Sequence, residues 1–389
     1  MKTENINRFL CKFNCKNSLD EFTLSLEKRQ SDLSIDVKPS QLTSRKLSDE
    51  FNTVILESDD TIDDSFYSMD NIEAMASDDF FGMPRRRKSK IKIQESLEQW
   101  NLEAINWEPN QIKQLIQNSQ SKSIVKIAII DSGINDHFEL KECVVDSICF
   151  APNIQKDETN DNRNHGTPIA GIIASLTDNG GINGVFPGVQ LMNIKVTNNQ
   201  TAEWWISAIC EGIIYATDRG AKVINISWNY EDKKTAIQQA LINPKTGMKY
   251  FIDEAINFAY NKGVIIVFSL GDVGKQAKDL LPDNIDKIIV VGACNKQLKK
   301  ASWSNKDKGL DVIYAPGDHI KSIKYNDKNG FDSNIGSSFA AAHVTGAIGL
   351  MLFKNSKLKL NDIRSKILTH SIKENKIRIL NIKDTLDNI

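Results

Sequence analysis

The sequence predicts an α/β protein, a mostly parallel central sheet flanked by helices and preceded by a small α+β unit. Two patterns after residue 94 predict the sheet, and a break in composition near residue 84 predicts the division. Short, uniformly apolar runs alternate with amphipathic stretches of helical spacing. Strands of that kind are buried on both faces, as parallel strands covered by helices are. Residue types that carry chemistry recur at the carboxyl ends of these runs, where such folds open their crevices. From Leu47 to Pro84 there are eleven Asp and Glu and no Lys or Arg, and then Arg85-Arg86-Arg87-Lys88-Ser89-Lys90-Ile91-Lys92 follows.

Taken in order, Phe9–Phe13 and Phe51–Leu56 have the pattern of strands, and Leu19–Leu33 that of a helix. They make residues 1–84 a small unit; a solvated acidic tail is the other reading of that stretch. Residues 85–95 form a basic linker, which leaves 96–389 as the large domain. Its expected order begins with strand Val125–Ile130, a helix after His165, strand Val189–Val196, helix Ala202–Thr217 and strand Lys222–Ser227. Helix Phe251–Asn261, strands Val264–Ser269 and Lys287–Gly292, and helix Ser338–Phe353 follow. Asp131 then ends one strand, Gly271-Asp272 follow another, and His165 and Ser338 open helices. All four segments can face one crevice.

The bulk numbers exclude several classes. A chain of 389 residues can hold one large domain and a smaller one. Its net charge of −1 gives no electrostatic case for nucleic acid or an anionic membrane as a partner. The first residues lack the apolar core of a secretory signal, and no run approaches the roughly 18 apolar residues of a spanning helix. A cytoplasmic location is therefore expected. The six cysteines (Cys11, Cys15, Cys143, Cys149, Cys210, Cys294) are too scattered for a disulfide scaffold and read as free thiols. Cys11 and Cys15 have no second pair and no nearby His, which disfavours zinc.

Three segments carry the chemistry: IAIIDSG around Asp131, NHGTPIAG around His165 and GSSFAAAHVTG around Ser338. They supply a carboxylate, an imidazole and a hydroxyl, the parts of an activated nucleophile. The three resemble the Asp, His and Ser boxes of the subtilisin-like serine proteases, from about Gln94 to the C-terminus. GAKVINIS (220–227), GVIIVFSLGD (263–272) and ASWSNKDKGLDVIYAPGDHI (301–320) match supporting segments in the same order. The resemblance implies a subtilisin-like fold and peptide hydrolysis through an acyl-enzyme, with no cofactor needed for the chemistry. Ser338 is then the nucleophile, His165 the general base and Asp131 the group that fixes the imidazole tautomer. His343, inside the helix after the nucleophile, reads as a packed structural residue.

The departures are informative. The family places Asn, a donor to the oxyanion, where this chain has Asp272. An ionised carboxylate only accepts and repels that charge, whereas a carboxyl kept protonated by burial could donate. Ser337 keeps a hydroxyl beside the oxyanion region. A slow, selective protease is expected, with a non-catalytic peptide-binding scaffold as the minority reading. Pro168 and Ala342 also differ from the family pattern, but neither touches the proton relay.

The same resemblance implies further sites. Ser227-Trp228-Asn229 and Ser269-Leu270-Gly271 correspond to the two walls of the primary specificity pocket, which takes extended peptide or protein substrate. The loop 176–182 corresponds to a calcium loop, with Asp178, the carbonyls of Leu176, Gly180 and Ile182, and Glu139 as ligands for structural Ca²⁺. A metal-free polar turn is the other reading. Residues 1–84 resemble an inhibitory pro-domain seated in the cleft, with RFLCKF as a first strand, FNTVILES as a middle strand and DNIEAMASDDF as the exit strand. Self-cleavage is expected between about Arg85 and Glu95. Such a chain is similar to the leader peptidases of lantibiotics and related modified peptides; the alternative is an intracellular subtilisin for general or regulatory proteolysis.

Overall fold

The computed structural model describes residues 7–13, 19, 42–48, 53–58, 72–77, 80–82, 98–118, 124–177, 180–199, 203–227 and 248–389. All but the first residue of the expected helix 19–33, and the whole 85–95 linker, lie outside these residues. Strands β1 (Asn7–Phe13), β2 (Leu42–Ser48), β3 (Thr53–Ser58) and β4 (Ile72–Ser77) form an antiparallel sheet in the order β2-β3-β1-β4. The expected exit strand therefore divides: Ile72–Ser77 pairs with β1 inside the sheet. After Asp78-Asp79 interrupts the apolar pattern, a separate strand β5 (Phe80–Gly82) leaves it. Leu10 and Ile55, both buried, join a core shared with the large domain. Beside them Lys12 is ion-paired with Glu254.

In the large domain α1 (Trp100–Ala104) and α2 (Pro109–Asn118) precede β6 (Lys126–Asp131), β7 (Val144–Cys149), α3 (Gly166–Ala174) and β8 (Gln190–Lys195). Then come β9 (Glu203–Trp205), α4 (Ile206–Asp218), β10 (Val223–Ile226), α5 (Met248–Asn261), β11 (Ile265–Ser269), β12 (Ile288–Cys294) and β13 (Val312–Pro316). The hairpin β14 (Ile320–Ile323) and β15 (Phe331–Asn334) leads into α6 (Ser337–Lys354), and α7 (Leu360–His370), β16 (Ile372–Glu374), β17 (Ile377–Ile379) and α8 (Ile382–Asp387) close the chain.

Nine strands pair in the order β16-β17-β13-β12-β11-β10-β6-β8-β7, every neighbour parallel except β16 with β17. Their β-branched runs serve two cores at once. Ile127 and Ile129 point into the layer with α3 and α6, while Ala128 and Ile130 point into the layer with α4 and α5, as alternation across a strand requires. Helix α6 is buried from Ser337 to Leu352, which suits its apolar character on all sides.

One expected boundary moves. Residues 203–205 belong to a strand rather than to the helix expected from Ala202, and α4 begins only at Ile206. Here β9 pairs antiparallel with β5, with Phe80 opposite Trp205, Phe81 opposite Trp204 and Gly82 opposite Glu203. A cross-strand partner far away in sequence satisfies backbone groups that local periodicity had assigned to a helix. Among the described residues, no helix is long and apolar enough to cross a membrane.

Candidate active site

Asp131 ends β6 and is buried, and His165 is the residue immediately before α3. Their segments approach closely enough to need glycine. A Cβ on Gly166 would lie 2.2 Å from the Gly133 carbonyl oxygen, and one on Gly133 would lie 2.3 Å from that of Thr159. The approach sets His165 Nδ1 at 2.8 Å and 3.0 Å from the two carboxylate oxygens of Asp131. Burial alone lowers the His165 pKa, but the carboxylates of Asp131, Asp161 and Asp272 outweigh it and leave the pKa raised.

Ser338 is the second residue of α6 and is buried. The ring of Phe339, next along the helix, lies 5.8 Å from the His165 ring. The segment after β11 is fastened to the same helix start. The Gly271 N–H donates to Ser337 Oγ at 3.0 Å, and Ser337 N–H donates to both Asp272 oxygens at 3.0 and 3.2 Å. The half-buried Asp272 thus presents an acceptor at the start of α6, beside Ser338. Gly336 leaves room for it, since a Cβ there would meet Asp272 Oδ2 at 3.1 Å.

Ser227, Ser269 and Leu270 are buried at the carboxyl ends of β10 and β11, whereas Trp228 and Asn229 lie outside the described residues. Sequence reasoning missed Asn305, whose side chain accepts from the N–H groups of Val273 and Lys275 and donates to the Leu270 carbonyl at 2.9 Å. Nothing local marks it, because its partners are about thirty residues away in sequence. It also missed Asp161, whose only signal was a short polar residue four positions before His165. His343 is buried, its Nδ1 bonded to the Phe339 carbonyl and its Nε2 to Asn101 Nδ2 at 2.8 Å. Burial pushes its pKa down to about 4.

At the proposed metal loop Asp178 lies outside the described residues, while Glu139 is fully buried and its Oε1 accepts from the Ile182 N–H at 2.8 Å. A Cβ on Gly181 would fall 1.6 Å from that oxygen, so the loop lies directly on the carboxylate. The chemistry of that carboxylate oxygen suits a hard cation, which needs several such ligands.

A doubly wound, mostly parallel sheet brings the Asp131, His165 and Ser338 segments together at its strand ends, where α/β folds open their crevices. A sequence model described as the subtilase family matches residues 121–384, and the chain belongs to that family of serine endopeptidases. It is 33% identical over 247 residues to subtilisin DY of Bacillus licheniformis, covering 62% of this chain and 82% of that protein. It is 34% identical over 229 residues to thermitase of Thermoactinomyces vulgaris, covering 58% and 74%. Among solved structures, the epidermin leader peptide processing serine protease EpiP of Staphylococcus aureus aligns with a TM-score of 0.74 at 18% identity, over 99% of this chain and 100% of that one. The nisin leader peptidase NisP of Lactococcus lactis aligns with a TM-score of 0.62 at 23% identity, over 74% and 93%. At those identities the structural likeness speaks for the fold.

Proposed function

We propose that this subtilase cuts peptide bonds through Asp131, His165 and Ser338, and that its substrate is the leader of a ribosomally made, modified peptide. The single observation that carries the catalytic part is the double contact of His165 Nδ1 with the Asp131 carboxylate. It commits the Nδ1 proton to Asp131 and leaves Nε2 as the base for the Ser338 hydroxyl. Ser338 Oγ adds to the carbonyl carbon, the imidazolium returns the proton to the leaving amine, and water then releases the acyl group by the same relay. The Ser338 N–H, at the start of α6, donates to the oxyanion and adds the field of the helix N-terminus.

The leader-processing part is supported by the two neighbours described as leader peptidases and by the N-terminal unit. In this reading residues 1–84 are an inhibitory pro-domain, and β5 pairs with β9 of the large domain as an extended peptide pairs with a strand. Only Met83 and Pro84 separate β5 from the Arg85–Lys92 run, the proposed site of self-cleavage. A fluorophosphonate is expected to label Ser338, and a modified-peptide precursor to be cut at one bond while denatured casein stays intact. Labelling at another residue overturns the triad. An unlabelled protein is the peptide-binding scaffold, and broad digestion of casein identifies general proteolysis.

We also assign Ca²⁺ to the loop over Glu139, whose buried carboxylate would supply one oxygen ligand. Chelation is expected to lower the melting temperature by several degrees, about 1–2 kcal/mol in a domain of this size. An unchanged melting temperature in excess chelator removes the assignment.

A further inference from the structure

We propose that Asp161 is a positioning residue for the reaction: one buried carboxylate ties the turn after Asp131 to the helix start that carries His165. The inference rests on the triad reading given above. Asp161 is only 1% exposed. Its Oδ1 accepts from Ser132 Oγ at 2.9 Å, Arg163 N at 2.8 Å and Asn164 N at 2.9 Å. Its Oδ2 accepts from His165 N at 3.1 Å and Thr167 N at 3.0 Å. Five donors converge on one side chain. An ionised carboxylate has acceptors in every direction, whereas an amide would turn its NH₂ against some of those donors. Charge-assisted bonds of this kind are the stronger class.

The connection runs through to the triad at both ends. The Ser132 hydroxyl, which donates to Asp161, accepts from Gly166 N at 3.0 Å, while Ser132 N donates to Asp131 Oδ1 at 2.7 Å. Asp161 therefore holds the backbone of His165 directly and reaches the Asp131 carboxylate through one residue. From the other side Asn135 accepts from Asp161 N at 2.7 Å and donates to the Asp161 carbonyl at 2.8 Å and to that of Tyr325 at 2.7 Å.

A buried carboxylate needs positive charge nearby, and Lys195 supplies it. Fully buried on β8 and opposite Asp131 in the strand register, it donates from Nζ to the Ser132 carbonyl at 2.7 Å and to the Asn160 carbonyl. The ammonium thus braces the residues that precede and contact Asp161 without occupying the carboxylate itself.

The arrangement has a signature that a purely structural role lacks. Among the described residues, Asp131 from β6, Asp272 from the segment after β11 and Asp161 are the charged groups acting on His165, and α6 faces it with the uncharged ring of Phe339. Removing the Asp161 charge lowers the His165 pKa, so the neutral base persists to lower pH. Removing the bonds loosens the ring, and a displacement of about 1 Å costs on the order of 10²-fold in rate.

The test compares Asp161→Asn and Ser132→Ala in the full chain. Asp161→Asn is expected to lower kcat about 10²-fold with KM unchanged and to move the acidic limb of kcat/KM to lower pH. Ser132→Ala keeps the charge, so kcat falls by about tenfold while the acidic limb stays in place. Wild-type kcat and an unmoved limb in Asp161→Asn overturn the proposal. If Asp161→Asn does not melt cooperatively, Ser132→Ala carries the test, and an unchanged kcat there overturns it. Ser338→Ala separates the two readings: if it is inactive while Asp161→Asn behaves as wild type, only the positioning role fails. If Ser338→Ala stays active, the triad reading fails as well.

Discussion

Asp272→Asn is expected to raise kcat, by up to about 10²-fold. Losing the corresponding Asn donor costs subtilisin about 10²–10³-fold, and this chain starts without that donor. The side-chain geometry favours a clean gain. The Asn carbonyl oxygen can keep the acceptor role that Asp272 has toward Ser337 N–H, while its NH₂ becomes available to the oxyanion. The substitution also removes one of the carboxylates that raise the His165 pKa. A lower pKa leaves more neutral base at a given pH, so the acidic limb of kcat/KM moves to lower pH. Pre-steady-state acylation rates of the two proteins across pH measure both effects. An acylation rate no faster than wild type means that another group already serves the oxyanion.

Ser338→Ala is expected to show the largest loss. Removing the nucleophile from subtilisin costs about 10⁶-fold in kcat, because the remaining relay has no oxygen to activate. The same variant should keep its full-length mass after purification, whereas the wild type should lose its N-terminal unit near Arg85. The chemistry and the self-cleavage are thus read in one comparison. A shortened Ser338→Ala protein shows that another protease makes the cut, and measurable turnover by it removes Ser338 from the mechanism.

Much of the large domain was legible because its signals are local. The uniformly apolar runs at β6, β10, β11 and β12 carry enough β-branched residues to declare buried parallel strands, and the three boxes announce the site by residue type. The N-terminal unit was harder to read. In β2, LTSRKLS has almost no apolar alternation, and the strand exists through its pairing with β3. The β9 segment reads as the first turn of a helix until β5 arrives to pair with it.

Side-chain type and short-range period were enough for the class of protein, for strands β6, β8, β10, β11 and β12 and helices α3, α5 and α6, and for the three residues proposed for the chemistry. How those residues are held depends on contacts between distant segments. Lys195 and Asn305 act through hydrogen bonds to backbone groups on other segments, and Asp161 joins the N–H groups of its own segment to the Ser132 hydroxyl, a partner that folding alone brings near. The same holds for Asp272. Its residue type alone marked the departure from the family pattern, and the fold turned its carboxylate onto the N–H of Ser337 at the opening of α6.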